Sequence, residues 1–355
     1  MTQTLHSRPA PTEADLIEKL HAKVGMLMPP FEIEQKAGIA HRINELKRTL
    51  NAVILGHNYM EPALYHSVPD FVGDSLELAR VSADTDADVI VFCGVQFMAE
   101  TAKILNPSKT VLIPSQKAGC SLAAGVTPED VRALKAMFPG VPVVSYVNTY
   151  AAVKAESDYC CTSGNAAKVV EHILAEGHDH VIFLPDEFLA KNTAHELGLP
   201  CIVPAMDQPA PPLPDRCVIA WNARCEVHEL FTPEDIDAVR AQFPDVYIIS
   251  HPEVSPEVLA KSDASGSTKQ MIAKVRESSA ERILLLTECS MGDNIASENP
   301  DKEMLRLCSH RCPHMQQITL EDTLAGLEKM QYQVELDPDL ITRSRGAIDR
   351  MLAIG

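Results

Sequence analysis

Along this chain, short unbroken apolar runs alternate with stretches whose apolar positions recur at helical spacing. The runs are NAVILGH, DVIVFCG, TVLIP, VPVVSYVN, HVIFLP, CIVP, VYIISHPE and RILLLTE. A continuous run rich in Val and Ile suits a strand covered on both faces; a half-exposed strand would alternate. Helical stretches between such strands make βαβ units, so the pattern predicts an α/β fold with parallel sheets.

The pattern is written three times. NAVILGHNYMEPALYHSVPDFVGDSLELARVSADTDADVIVF aligns with VPVVSYVNTYAAVKAESDYCCTSGNAAKVVEHILAEGHDHVIFL and with DVYIISHPEVSPEVLAKSDASGSTKQMIAKVRESSAERILLL. Each copy opens with a strand ending in a polar pair: His57 and Tyr59, Tyr146 and Asn148, His251 and Glu253. About seventeen residues on stands a hydroxyl predicted to open a helix: Ser75, Ser163 and Thr268. Each copy then has a second strand and a matching turn, FCGVQFMAE, FLPDEFLAK or LLTECSMGD, and reaches a cysteine: Cys120, Cys225 or Cys312. Copy two is longer by the proline-rich PAMDQPAPPLPD, a predicted surface insertion. In parallel α/β units, ligands bind beyond the carboxyl ends of the strands, where these features fall. The predicted architecture is three pseudo-equivalent three-layer αβα domains with parallel sheets around a pseudo-threefold axis. Its boundaries are an N-terminal extension at 1–30 and repeats at 31–122, 123–228 and 229–317, with C-terminal helices at 318–355 packing on the first repeat.

Composition narrows the chemistry. With 355 residues, 46% hydrophobic and 23% charged, the chain is long enough for two or three globular domains. A formal charge of −18 and the lack of any Lys/Arg-rich run argue against a nucleic-acid partner. A small anionic substrate would need His, helix N-termini or a metal. No run approaches the roughly 20 apolar residues of a membrane span. The opening MTQTLHSRPAPTEADLIEK lacks the apolar core of a secretory signal, so a cytoplasmic protein without membrane contact is expected, its first dozen residues mobile. Ten cysteines in a reducing compartment are not a disulfide framework.

Three thiolates, one from each copy, suggest a metal group with an open position. Structural zinc takes four protein ligands, and so, usually, does a 4Fe–4S cluster. With three, one iron stays free to act as a Lewis acid. A Cys3His zinc site from Cys225, His228, Cys308 and Cys312 is the competing arrangement. Cys93, Cys201 and Cys217 lie on apolar runs and read as core, the adjacent Cys160 and Cys161 read as packing, and Cys289 receives no role. In CSHRCPHM, Cys312 is preferred over Cys308 as the ligand.

The chain resembles the bacterial quinolinate synthase family. The stretches that carry the likeness are HNYM, GDSLELA, MAETAKIL, AGCSLA, YVNT, TSGNA, LPDEFLA, CEVHE, HPE, GSTKQMI and CPHM, in order across most of the chain, with RSRGAIDRML beyond them. The resemblance implies three αβα domains around one oxygen-sensitive 4Fe–4S cluster per chain, held by Cys120, Cys225 and Cys312 with one iron left for substrate. It implies a transferase- or lyase-type enzyme of NAD biosynthesis that condenses iminoaspartate with dihydroxyacetone phosphate to quinolinate, releasing phosphate and two waters. Transient contact with an L-aspartate-oxidising enzyme follows from the same likeness; another Lewis-acid iron–sulfur dehydratase is the alternative. Some relatives carry Cys where Val254 stands and a Cys-x-x-Cys near the last ligand. Neither occurs here, so no regulatory disulfide is expected.

Chemistry then assigns roles. Glu253 is the only carboxylate of the three polar pairs, and so the expected general base and acid. Tyr59 and Tyr146 can relay protons through their phenols. Asn148 cannot titrate and should position substrate. His57, His228 and His251 are candidate partners for carboxylate or phosphate. Ser75, Ser163 and Thr268 are expected to open helices and to bind anions at the helix starts, with N-capping as the plainer role they can also serve.

Overall fold

All eight apolar runs become parallel strands in the computed structural model of the chain, which describes residues 9–307 and 310–355. By internal contacts the fold divides into two units. One holds the residues up to Gly119 together with Glu288–Glu335, and the other holds Cys120–Thr287 with Leu336–Gly355.

In the first unit, β1 (Ala52–His57), β2 (Phe71–Gly73), β3 (Val89–Cys93) and β4 (Thr110–Leu112) form a parallel sheet in the order β2-β1-β3-β4. Every residue of β1 and β3 is buried, as unbroken apolar runs require. The second unit contains β5 (Val143–Tyr146), β6 (Tyr159–Cys161), β7 (His180–Leu184), β8 (Cys201–Ile202) and β9 (Cys217–Ala220), in the order β6-β5-β7-β9-β8. It also contains β10 (Tyr247–Ser250), β11 (Ala264–Ser265) and β12 (Arg282–Leu286), with β10 between the other two. The proline-rich segment joins β8 to β9, so copy two gains an extra edge strand.

The short strands β2, β6 and β11 escape periodicity, having only two or three residues each. An aspartate places each of them. Asp70, Asp158 and Asp263 immediately precede these strands. Each accepts a first-strand amide on Oδ2, from Ile54, Val143 and Ile248, at 2.8 Å in every case. Each returns its own amide to the carbonyl of the same residue at 2.9 Å. The latch comes five residues before Ser75, Ser163 and Thr268, which fixes the register of the three copies independently of strand hydropathy.

A second recurrence follows the cysteines. Seven residues after Cys120, Cys225 and Cys312 stand Thr127, Thr232 and Thr319, each opening a T-x-E-D sequence. Each threonine side chain accepts the amide of the aspartate three residues on, starting the helices Pro128–Met137, Pro233–Gln242 and Leu320–Lys329.

Two described helices precede β1. Thr12 caps Glu13–Val24 with a capping box, and Leu16, Leu20 and Val24 face inward against Pro30–Thr49. The C-terminal helices part company. Leu320–Lys329 packs on Pro30–Thr49 and on β3 of the first sheet. Pro338–Ile354 instead packs on β6 and the helices Ala151–Lys154 and Ala166–Ala175 of copy two. There the Arg350 guanidinium lies 5.1 Å from the Tyr159 ring centroid and donates to the Asp158 carbonyl. No helix among the described residues is long and apolar enough to cross a membrane.

Candidate active site

The second unit gathers most of the expected site residues at the carboxyl ends of β5 and β10. Glu253, only 3% exposed, lies two residues past His251 and is held from both sides. The Tyr146 hydroxyl donates to its Oε1 at 2.5 Å, and His228 Nδ1 donates to its Oε2 at 2.8 Å. Burial pushes this carboxyl up, but the nearby His228 and His251 and the bonds from His228 and Tyr146 outweigh it, holding Glu253 well below the usual carboxylate range. His228 and His251 stack, with centroids 4.6 Å apart. His228 Nε2 meets the buried Thr287 hydroxyl at 3.0 Å. His251 accepts the Glu253 amide on Nδ1 at 3.4 Å and meets the Ser163 hydroxyl through Nε2 at 3.2 Å. The Oδ1 of Asn148 is buried with no hydrogen-bond partner.

Of the three hydroxyls expected to open helices, Ser75 and Thr268 do so, as the first residues of Ser75–Asp84 and Thr268–Glu277, while Ser163 does not. Asp74 caps the helix Ser75–Asp84, and Ser267 caps Thr268–Glu277. Ser75 and Thr268 therefore occupy the first helical position rather than the cap. Ser163 lies in the turn before Asn165, ahead of a helix that begins at Ala166. The neighbouring residue already supplies the cap oxygen where a side chain caps at all, which leaves these hydroxyls outside the capping bonds.

In the first unit, His57 ends β1 and accepts the Tyr59 amide on Nδ1 at 3.3 Å, the same bond that His251 makes to Glu253. Its ring meets Tyr59 edge-on at 4.7 Å.

The three cysteines hold equivalent places in their own surroundings. The carbonyls of Cys120, Cys225 and Cys312 accept the amides of Ala124, Glu229 and Gln316, each four residues on. The carbonyl two residues before each cysteine, on Ala118, Ala223 and His310, accepts the first amide of the helix after its second strand, from Gln96, Glu187 and Cys289. Cys312 thus occupies the position in copy three that the other two occupy in theirs; Cys308 lies outside the described residues. The nine described cysteines are free, and Cys93 is buried in β3 with its Sγ 3.7 Å from the Thr323 hydroxyl.

Sequence reasoning missed Asp186. It is fully buried at the cap of the helix Glu187–Glu196 and accepts the Leu189 amide at 2.7 Å. It also takes the amide of Cys225, as Glu288 takes that of Cys312 at 3.4 Å. Burial first, then the Glu253 charge, pushes the Asp186 carboxyl well above its ordinary range, and its Oδ2 has no partner.

The donor atoms of Cys225, His228 and Glu253 lie within 4.8 Å of one another. The Cys225 sulfur accepts the amides of Val227 and His228, and Cys120 Sγ accepts that of Ala123 at 3.4 Å. Burial above all, with Glu253 and Cys120 adding to it, pushes the Cys225 thiol well above its ordinary range. Amides aimed at these sulfurs suit thiolates, and a cationic group would stabilise thiolates there, so the donor set fits a soft, sulfur-bound metal centre.

The chain matches the family described as quinolinate synthetase A protein over residues 41–353. It is 50% identical over 335 residues to quinolinate synthase 2 of Mesorhizobium japonicum, covering 94% of this chain and 97% of that one. It is 49% identical to the quinolinate synthase of Agrobacterium fabrum, over 94% of this chain and 91% of the relative. With that of Xylella fastidiosa it shares 51% identity over 312 residues, 88% of this chain and 86% of the other.

Proposed function

Because the chain belongs to the quinolinate synthetase A family, we propose that it condenses iminoaspartate with dihydroxyacetone phosphate to quinolinate, phosphate and two waters, as a step toward NAD. The observation that carries the reading is the buried Glu253 carboxylate, held ionised between a phenol and an imidazole. Forming an aromatic ring from these substrates requires repeated proton removal and delivery beside carbonyl and hydroxyl groups. A carboxylate with a phenol in contact can take a proton from carbon and pass it on through Tyr146. His228 holds the second oxygen, so the carboxylate keeps one orientation throughout.

The remaining residues bind. Asn148 offers an unpartnered amide oxygen to a substrate donor. Ser163, His251 and Thr268 offer donors to the carboxylates and phosphate, and His57, Tyr59 and Ser75 are assigned to the same substrates by their equivalent positions in copy one. Cys120, Cys225 and Cys312 would hold a 4Fe–4S cluster, whose open iron would supply Lewis-acid assistance to a departing hydroxyl. The same reading takes the copies 31–122, 123–228 and 229–317 as αβα domains about a pseudo-threefold axis. Its support is the recurrence of latch, cap and cysteine turn along the chain.

Glu253→Gln tests the reading. The variant should keep its iron and lose at least about a hundredfold in quinolinate formation, by the usual worth of a general base. The assay supplies triose phosphate and freshly generated iminoaspartate; near-normal turnover would remove Glu253 from the reaction. A competing single-ion site on Cys225, His228 and Glu253 is favoured by their 4.8 Å grouping. Anaerobic analysis that finds zinc without sulfide would select it over the cluster.

A further inference from the structure

In each copy, one buried side-chain nitrogen bridges two backbone carbonyls on either side of the central residue of the loop after the first strand. Asn294 Nδ2 donates to the carbonyls of Asn58 at 3.1 Å and Met60 at 2.9 Å, flanking Tyr59. Lys154 Nζ donates to those of Val147, at 2.9 Å, and Thr149, flanking Asn148. Asn192 Nδ2 donates to those of Pro252 at 2.8 Å and Val254 at 2.9 Å, flanking Glu253. The three donors are 1%, 0% and 5% exposed.

The two asparagines occupy the same place, five residues into the helix that follows a second strand: Glu187–Glu196 for Asn192 and Cys289–Ala296 for Asn294. The matching residue of Gln96–Leu105 is Thr101, whose hydroxyl bonds to the Phe97 carbonyl within its own helix. Copy two takes its donor instead from Lys154, within the loop's own short helix. The chemistry of the donor differs, but the geometry is the same. Only the NH2 end of an asparagine can face two carbonyls, so the amide orientation is fixed by its acceptors. Asn294 keeps that orientation even though its Oδ1 is buried without a partner.

We propose that Asn192, Lys154 and Asn294 are positioning residues for Glu253, Asn148 and Tyr59. Tying the carbonyls before and after a residue fixes the peptide entering it and the peptide leaving its neighbour. The Cα–Cβ direction of the central residue then has little freedom, and its side chain is aimed from the backbone. The functional part of this inference rests on the reading of those three residues as substrate-facing; the geometric part does not.

The test is Asn192→Leu, similar in size but without the donor, purified anaerobically beside the parent. Turnover number should fall about a hundredfold, the effect of a misplacement near 1 Å, while KM moves less than about threefold and cluster absorbance is unchanged. Crystal structures of parent and variant give a readout independent of activity. The Pro252–Val254 backbone should shift, and the Glu253 carboxylate should leave the Tyr146 hydroxyl. Glu253 still bonded to both Tyr146 and His228 in the variant would overturn the proposal, whatever the turnover. A shifted carboxylate with full turnover would uphold the geometry and overturn the function assigned to Glu253. If Asn192→Leu does not fold, Asn192→Ser, too short to reach both carbonyls, is read in the same way.

Discussion

The first strands of the three copies can be compared at their two ends. Toward the start of β1, β5 and β10 the copies are nearly superimposable in their bonding: Asp70, Asp158 and Asp263 make the same two bonds at the same lengths. At the carboxyl ends they diverge into His57 with Tyr59, Tyr146 with Asn148, and His251 with Glu253. The backbone pattern persists even there, since each central residue is flanked by bridged carbonyls. What varies is the side chain presented on a repeated frame. One end of the repeat keeps its bonding constant, and the other differs in the side chain it presents.

The largest expected effect breaks the comparison at the chemical end. Cys120→Ala should abolish the iron–sulfur absorbance of anaerobically reconstituted protein, whereas Cys93→Ala, an exchange inside β3, should retain it. Equal loss from both would show that core packing, not ligation, governs the signal. A smaller effect breaks it at the scaffold end. Replacing a latch aspartate by alanine leaves a strand amide without its charged acceptor, at about 2 kcal/mol. Asp70 should cost more than Asp158 or Asp263, about 3 kcal/mol, because its cationic partner Lys47, at 2.8 Å, is buried, whereas Asp263 pairs with the part-exposed Arg240 at 2.9 Å. Hydrogen exchange at Ile54, Val143 and Ile248 reads each latch separately. Unchanged protection at Ile54 in Asp70→Ala would remove the latch from the account.

The two ends were not equally legible in the sequence. The unbroken apolar runs announced their strands, from the fully buried β1, β3 and β5 to the half-buried edge strand β8. The edge strands β2, β6 and β11 did not, because two or three residues carry no period; their placement depends on one aspartate bond that hydropathy cannot register. The hydroxyls at the helix starts were found, but the caps beside them were not, because Asp74 and Ser267 stand one residue earlier with equal chemical claim. Cys312 was separable from Cys308 by a signal left unused: a T-x-E-D cap seven residues after every equivalent cysteine. Asp186 was illegible for a different reason. Its distinction is a buried oxygen without a partner, and that arises only when the turn after β7 meets the segment carrying Cys225. The final helix was misplaced because an amphipathic stripe shows that a helix packs, not which sheet it packs on.

Acid gives the finest division between scaffold and chemistry. Glu253, held low by its partners, keeps its charge through mildly acidic conditions. His66, in the first unit and outside every strand end, does not resist acid in that way. It is buried with its Nε2 3.0 Å from the Ser297 hydroxyl. Burial, with Lys23 and Lys19 nearby, lowers its pKa to about 4 against the pull of Glu298. A histidine depressed in the folded state binds more protons when unfolded. Its contribution is complete above its unfolded value near 6.5, declines as pH falls toward 4, and is flat below that. One pH unit below the unfolded value the loss is about 1 kcal/mol. His66→Gln, which cannot titrate, should therefore show a shallower fall in stability between pH 7 and about 5.5 than the parent. Parallel curves would show that another group sets the acid limit of the scaffold.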